Sequence, residues 1–271
     1  MIRHRRMALE DLRRALDWAA EEGWNPGLDD AEAFYAADPG GFFVAEEDGK
    51  PVASISVVNH NDDFAFLGLY ICRPECRGRG IGFALWEEAM AHAGQRTIGL
   101  DGVAEQQANY ARSGFVLAGT TRRFSGDLTG REVAGIDPAD TADIPTLIDR
   151  EAQCSGVRKE DYLSAWFRDT AHRKTFVASS TGFVTVRRCR DGAKIGPLIA
   201  EDENTARDLI AAAAAAFPGP FSIDVPDSAP TLAGICETLG LSVTFETARM
   251  YRGTPPVTGD GLFAVTTLEL G

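Results

Sequence analysis

The stretch Arg73-Pro74-Glu75-Cys76-Arg77-Gly78-Arg79-Gly80-Ile81-Gly82 joins an apolar, strand-like run, Phe64 to Cys72, to a helix-like repeat. In that repeat, apolar residues recur at every fourth position: Ile81, Leu85, Ala89 and Ala93. The pattern predicts a strand, a glycine-rich turn and a helix. Glycines let the backbone approach an anion closely, and the start of a helix adds partial positive charge. A phosphate-bearing ligand therefore fits this turn.

Two other phosphate-binding motifs are excluded by their spelling. A dinucleotide fingerprint that starts at Gly78 requires glycine where Phe83 stands, and a P-loop requires Gly-Lys-Ser/Thr, which is absent. The remaining alternative for the turn taken alone is an ordinary strand-to-helix connection that is rich in glycine and arginine.

The flanking sequence alternates between helical and strand periodicity. Helices are expected over residues 11–22, 29–37 and 105–113, and strands over 42–46, 52–58, 64–72, 97–100 and from 115 onward. This half of the chain is therefore expected to form an α/β fold.

Two motifs in this order resemble those of the GNAT acetyltransferases. The run from Leu69 to Gly82 resembles their pyrophosphate-binding strand, R/Q-x-x-G-x-G/A loop and helix, and residues 110–115, Tyr-Ala-Arg-Ser-Gly-Phe, resemble their Y-x-x-x-G-F segment. Further similarity, which extends over nearly the whole chain, is to bacterial GNAT proteins that carry an additional GNAT-like C-terminal domain. It lies in residues 24–27, 100–110, 194–198 and 246–253.

The resemblance implies that the chain binds acetyl-CoA. The backbone of the splayed strand would pair with the pantetheine arm, and the amides of the turn would hold the pyrophosphate. An asparagine that the family often places seven residues before the tyrosine is Val103 here, so that Gln106, Gln107 or Asn109 would replace it. The implied cofactor-binding residues are Leu69, Tyr70, Ile71, Cys72, Arg77, Gly78, Arg79, Gly80, Ile81, Gly82 and Asn109.

Acyl transfer to an amine requires a group that stabilises the tetrahedral oxyanion and a donor that protonates the leaving thiolate. A backbone amide between Tyr70 and Cys72 is expected to do the first. Tyr110 is the candidate general acid, because a phenol with a pKa near 10 can protonate a thiolate whose conjugate acid has a pKa of about 8.5. The alternative is that Tyr110 only packs its ring against the cofactor.

The acceptor side of the site is less marked. Trp24, Asn25 and Asp101 are candidate substrate-binding residues, although Trp24-Asn25-Pro26-Gly27 also reads as a helix-ending loop and Asp101-Gly102 as a turn. No general base stands out among Asp101, Glu105, Glu46 and His60, and water is an alternative proton acceptor.

The second half reads as a degenerate copy of the first. Gly240-Leu241 follows Gly114-Phe115 by 126 residues, and Ile195 follows Leu69 by the same interval. Its glycine loop is replaced by Glu201-Asp202-Glu203, which would repel a pyrophosphate, and Cys236 stands at the place of Tyr110. The expected fold is therefore a tandem of GNAT-like α/β (α+β) units, each a mixed, mostly antiparallel sheet flanked by helices.

Three regions are expected along the chain. Residues 1–126 form the acetyl-CoA-binding domain, residues 131–253 the degenerate domain, and residues 254–271 a tail with a returning strand. The segment from Arg123 to Arg131, with two glycines, is the expected junction. The second domain is expected to form a wall of the acceptor site or a dimer surface, since small-molecule sites favour the seam between domains.

Composition and charge limit the kinds of partner and the cellular location expected for the chain. The net charge of −13 disfavours nucleic acid, and the longest apolar stretch, residues 209–217, is too short for a membrane span. No export signal follows the basic residues 3–6, and five cysteines without a repeating spacing suit the cytoplasm. Cys72 and Cys76 lack a second ligand pair, so no metal site is expected.

The predicted function is an acetyl-CoA-dependent N-acyltransferase that acts on a small-molecule or peptide amine by direct attack in a ternary complex. The alternative is a non-catalytic acyl-CoA-binding sensor. The chain is expected to be a monomer or a homodimer.

Overall fold

The computed structural model describes residues 1–271, and its strands form one continuous sheet of thirteen. The first half contributes β1 (Ile2–Arg6), α1 (Leu9–Glu21), α2 (Asp30–Ala37), β2 (Phe42–Glu47), β3 (Lys50–Asn59), β4 (Phe64–Cys72), α3 (Ile81–His92), β5 (Thr97–Gly102), α4 (Gln107–Arg112) and β6 (Val116–Leu128). The second half contributes β7 (Asp137–Pro138), α5 (Ile144–Ser155), α6 (Glu160–Trp166), β8 (Arg173–Ala178), β9 (Gly182–Arg188), β10 (Ala193–Ala200), α7 (Glu203–Ala216), β11 (Gly219–Pro226), α8 (Pro230–Thr238), β12 (Ser242–Arg252) and β13 (Leu262–Ala264).

Antiparallel pairs dominate the sheet. Only β4 with β5 and β10 with β11 run parallel, and these two pairs occupy the same place in the two halves. Helices α3 and α7 each connect the two strands of one pair and pack against the sheet. The expected fold class, two mixed and mostly antiparallel units flanked by helices, is confirmed. None of the eight α-helices is long and apolar enough to cross a membrane.

The two halves exchange their last strands. The sheet order runs β4-β5-β12-β6-β11-β10, so that β12 completes the first half and β6 completes the second. Thr121 of β6 pairs with Thr247 of β12, and these residues are counterparts in the two copies. A pseudo-two-fold axis therefore passes between two buried threonines.

One buried ion pair is repeated on each side of that axis. Arg249 of β12 donates to both carboxylate oxygens of Asp101 in β5, at 2.9 and 2.6 Å. Arg123 of β6 does the same to Asp224 in β11, at 2.7 and 2.8 Å. Each arginine thus bonds to an aspartate of the opposite half, and the exchange is fixed by charge as well as by the backbone ladder.

Most of the segment expected as the junction belongs to β6. Strand β6 continues to Leu128, through the boundary placed at residue 126 and most of the segment from Arg123 to Arg131. Strand β1 was also missed, because its residues Ile2 to Arg6 are mainly basic. At the edge of a sheet such charges are well tolerated, since one face of the strand meets solvent.

Both parallel pairs open towards their C-terminal ends. Pairing of β4 with β5 ends at Leu67 and Leu100, and Leu69 then adopts a left-handed φ of 47° in a bulge. Pairing of β10 with β11 ends at Ile195 and Ile223. Ile195 therefore matches Leu67 rather than Leu69, which shifts the expected register of this strand by two residues and aligns Gly196 with Gly68.

The C-terminal segment fills the second opening. Strand β13 pairs with Leu198 and Ile199 of β10, just beyond the point where β10 leaves β11. The Val265 amide then donates to the Asp224 carbonyl at 3.2 Å. A β-carbon at Gly196 would collide with the Val265 carbonyl, so the strand and the tail are in close contact.

Beyond β13, residues 265–271 pack against the first half, and these residues are called the tail from here on. Leu270 is completely buried, and its carbonyl oxygen lies 2.8 Å from Nε2 of His60. A β-carbon at Gly68 would collide with the Glu269 carbonyl. The tail therefore packs against both halves, next to the opening between β4 and β5.

Candidate active site

The glycine-rich turn presents free backbone amides at the start of α3. Gly78 and Gly80 have left-handed φ angles of 75° and 79°, which glycine adopts without steric cost. None of the six amides from Gly78 to Phe83 donates a hydrogen bond to another protein group. Added β-carbons at Gly78 and Gly80 would meet no atom within 4 Å. These amides and the helix dipole form a site that suits an anion.

The arginine side chains of this turn are engaged elsewhere. Arg77 lies 2.5 Å from Glu22 and donates from Nε to the Cys72 carbonyl at 2.9 Å. Arg79 forms an ion pair with Glu47. The anion site therefore depends on the backbone of this segment, while the two arginines hold the turn against α1 and β2.

A cleft begins where β4 leaves β5. Its lining is mainly apolar and comes from both halves and the tail: Trp24, Leu67, Gly68, Leu69, Tyr70, Leu100, Asp101, Val103, Gln106, Tyr110, Arg123, Phe245, Thr247, Leu268 and Glu269.

Two more open grooves meet this cleft at Tyr70 and Gln106. One lies between α3 and α4 and is also lined by Phe83, Trp86, Asn109, Tyr110, Arg112 and Ser113. The other is also lined by Glu22, Trp24, Ile71, Cys72, Arg77, Val103 and Glu105. The cleft is thus accessible from two directions, as a site for two reactants requires.

Tyr110 has a fixed ring and a free hydroxyl group. Its ring stacks on Trp86 at 5.7 Å between centroids and meets Phe115 edge-on at 6.3 Å. A β-carbon at Gly102 would lie 2.8 Å from the same ring, so glycine is needed there. The hydroxyl makes no hydrogen bond within the protein, and burial raises the pKa of Tyr110 well above its usual value. The phenol is therefore held protonated at the boundary of the cleft.

Most of the expected cofactor residues lie together. Leu69, Tyr70, Ile71 and Cys72 line the cleft or its grooves, next to the turn that carries Arg77 to Gly82. Asn109 lines the groove between α3 and α4, where its side-chain amide donates to Gln106 at 2.7 Å.

The three acceptor-side candidates have different positions. Trp24 lines the cleft, and its carbonyl accepts hydrogen bonds from Lys194 at 2.7 Å and Arg123 at 3.1 Å. Asn25 does not line it, because its side chain bonds to the backbone of Asp191. This loop therefore docks the first half onto the second.

Asp101 lines the cleft, but both of its oxygens bond to Arg249. Burial raises the pKa of Asp101, and the guanidinium of Arg249 opposes that shift. Its main role is to hold β12 beside β5.

Sequence reasoning missed all of the lining that comes from beyond residue 110, which is five residues: Arg123, Phe245, Thr247, Leu268 and Glu269. All lie on the exchanged strands or the tail, far from the motifs in sequence. The only local hint is Glu269, a single carboxylate between Leu268 and Leu270.

The counterpart site in the second half is occupied by the protein itself. The Asp202 carboxylate caps α7 by accepting from the Thr205 amide at 2.8 Å, where the first half has free amides. Strand β13 fills the opening between β10 and β11. The Cys236 carbonyl accepts a hydrogen bond from the Leu241 amide, just as the Tyr110 carbonyl accepts one from the Phe115 amide. Burial raises the pKa of the Cys236 thiol to about 12.

Comparisons with known proteins agree with this geometry. Residues 9–115 match the model of an acetyltransferase (GNAT) family, and residues 147–263 match that of an acetyltransferase (GNAT) domain. The chain is 35% identical to the holothin acyltransferase of Pseudoalteromonas sp. (strain SANK 73390), over 97% of this chain and 92% of the relative.

Two solved structures share the fold over nearly the whole length. A Pyrococcus horikoshii protein assigned as an acetyltransferase superposes with a TM-score of 0.85 at 18% identity, covering 100% of this chain and 96% of its own. A tandem GNAT protein from the clavulanic acid biosynthesis pathway gives a TM-score of 0.62 at 14% identity, with 96% and 100% coverage. With two family matches and a full-length acyltransferase relative, the chain belongs to the GNAT superfamily of acyl-CoA-using transferases, as a member with two copies of the fold.

Proposed function

We propose that the chain transfers an acetyl group from acetyl-CoA to the amine of a small molecule, by direct attack in a ternary complex. The observation that carries this proposal is the run of six unpartnered amides at the start of α3, beside an opening in the sheet that leads to Tyr110.

The residues of the first half suit coenzyme A. The amides from Gly78 to Phe83 would hold the pyrophosphate, and the backbone from Tyr70 to Cys72 would pair with the pantetheine arm, because β4 has no strand partner there on the β5 side. Bound acetyl-CoA supplies the activated acyl group as a thioester.

Tyr110 serves as the general acid. Its ring cannot turn away from the cleft without disturbing Trp86 and Phe115, and its hydroxyl has no hydrogen-bond partner in the protein. A backbone amide of the splayed strand near Tyr70 stabilises the oxyanion, since a preorganised dipole needs little reorganisation during the reaction.

The acceptor is a small molecule because the cleft is bounded by the second half and the tail. Phe245, Thr247 and Leu268 of the second half and the tail form part of its lining. The full-length relative is named a holothin acyltransferase, so holothin is the first acceptor to test. We also infer a cytoplasmic protein, in keeping with five unpaired cysteines.

Calorimetric titration with CoA tests the cofactor site. We expect one CoA per chain, and we expect Gly80→Glu to abolish binding, because the new carboxylate would stand against the pyrophosphate. Gly240→Glu is the matched control: Gly240 has a φ of 81° and open space around its β-carbon position, so the backbone cost is the same but lies in the second half. Two equivalent CoA sites, or unchanged binding by Gly80→Glu, would contradict the proposal.

A further inference from the structure

Glu269 brings an unpaired carboxylate into the cleft. The residue is 5% exposed and lines the cleft beside Leu268. Neither carboxylate oxygen accepts a hydrogen bond from the protein, and Oε2 is buried without any partner. Leaving a buried carboxylate oxygen unpaired is costly, which points to a partner that arrives with the substrate.

The other charged groups of the cleft already have partners. Asp101 is bound by Arg249, and Arg123 is bound by Asp224 and the Trp24 carbonyl. Lys194, behind the Trp24 loop, also donates to that carbonyl. The charges of Arg123, Lys194 and Arg187 act on Glu269, but none of these cations donates a hydrogen bond to it. Glu269 is therefore the one acidic side chain of this lining whose carboxylate has no hydrogen-bond partner.

The position of Glu269 is fixed by the tail. The Glu269 carbonyl lies against Gly68, and the next carbonyl, of Leu270, lies 2.8 Å from the His60 ring. The Thr267 hydroxyl accepts a hydrogen bond from the Leu270 amide at 3.1 Å. This bond holds residues 267–270 in a tight turn that includes Glu269. A carboxylate held this way is preorganised beside the end of the opening between β4 and β5.

We propose that Glu269 binds the acceptor as an ammonium ion and takes a proton from it, so that the acceptor is a primary amine with a compact apolar body. This inference rests on the proposed function. Leu67, Leu100 and Phe245 give the same lining a mainly apolar character. Its other carboxylate, Asp101, is bound by Arg249, so the cleft offers no free second anion for a polyamine.

The proton and electron steps balance. Glu269 takes one proton from the ammonium and later releases it to solvent. The freed electron pair forms the C–N bond, and the C–S bond breaks with its electron pair on sulfur. Sulfur receives the Tyr110 proton, and the second proton leaving nitrogen restores Tyr110.

Glu269→Gln tests the assignment with 2-phenylethylamine as the acceptor and spermidine and glycine as comparison amines. At pH 7 we expect kcat/KM for 2-phenylethylamine to fall by roughly 100-fold or more, as loss of a general base predicts, with CoA affinity and thermal midpoint unchanged. Because a variant without the base must wait for free amine, its deficit should shrink as pH rises towards 10. Glu269→Asp should recover part of the rate, and Glu237→Gln, at an exposed position on α8, should match the wild type.

Binding of 2-phenylethylamine to the CoA-loaded chain is measured in parallel by calorimetry, so that the assignment is tested independently of turnover. Weaker binding in Glu269→Gln supports it. Equal binding or rates in wild type and Glu269→Gln, a pH-independent deficit, or a preference for spermidine or glycine would overturn it. Failure of CoA to bind the wild type would instead contradict the proposed function itself.

Discussion

Tyr110 combines a ring that its neighbours hold in place with a hydroxyl group that makes no hydrogen bond within the protein. Trp86 and Phe115 fix its ring, and Gly102 leaves room for it. Nothing in the folded chain therefore uses the hydroxyl, and removing it alone should not disturb the packing.

We expect Tyr110→Phe to lower kcat by roughly 10²- to 10⁴-fold while acetyl-CoA binding changes little, because the substitution removes only the proton donor. Steady-state kinetics and calorimetry measure the two effects separately. Tyr70→Phe is the matched control, since Tyr70 also lines the cleft and both grooves. Equal losses in the two variants, or a loss of CoA binding that accounts for the rate, would count against the acid role of Tyr110.

The residues that would bind the cofactor are easier to predict from the sequence than those that would bind the acceptor. The cofactor site follows local rules, because a left-handed Gly80 must precede the helix at Ile81 and these residues are neighbours in the chain. Arg123 and Glu269 are brought to the cleft only by tertiary packing, so no local pattern marks them. Glu269 and Tyr110 are far apart along the chain, although both line one cleft.

At the scale of elements, the tail is held by a histidine that stays neutral. Desolvation and the charge of Lys159 lower the pKa of His60 to about 3, while its bond to the Leu270 carbonyl opposes the shift. In the unfolded chain a histidine has a pKa of about 6.5. Below pH 6.5 the unfolded state therefore binds more protons than the folded state, and stability falls as pH falls, down to about pH 3.

We expect the wild type to lose more free energy of unfolding between pH 7 and pH 5 than His60→Gln does, by up to about 2 kcal/mol. Glutamine can keep a donor towards the Leu270 carbonyl but does not titrate in this range. Urea denaturation at the two pH values measures the difference, and His4→Gln, on the far edge strand β1, is the control. An identical pH dependence in wild type and His60→Gln would show that His60 does not control the stability of the tail contact.

The strands and helices themselves are easier to predict from the sequence than the elements with which they pair. Alternation along residues 242–252 is enough to indicate a strand, but it does not say which sheet the strand joins. The exchange depends on two arginine–aspartate pairs whose members lie 101 and 148 residues apart, and such distances leave no trace in a periodicity.

For the whole molecule, the exchange means that neither copy has a complete sheet of its own. The apolar core beneath α1 and α2 also includes residues of α5 and α6, among them Leu147 and Trp166. Two copies of one fold are thus joined by shared strands and by a shared core.

We expect one cooperative unfolding transition, with equal calorimetric and van 't Hoff enthalpies per chain. Ile98→Ala in β5 and Ile223→Ala in β11 are a matched pair, since both side chains are completely buried in corresponding strands. Each should lower the single midpoint, with a loss of about 2–5 kcal/mol. Two resolved transitions, one of them unmoved by each variant, would show that the halves unfold independently.

The pairing of β5 with β12 also bears on how the chain reaches its folded state during synthesis. When the first half has left the ribosome, the edge of β5 still lacks its neighbour, because residues 242–252 are not yet made. Domain-by-domain folding, the usual route for a chain of this size, is therefore closed to it. The nascent first half keeps an open sheet edge until that strand is made. The pairing then joins residues as far apart in sequence as Asp101 and Arg249, 148 residues, and such long-range pairing is slow to form. Slow, late folding and a need for protection of that edge follow directly from the shared strands.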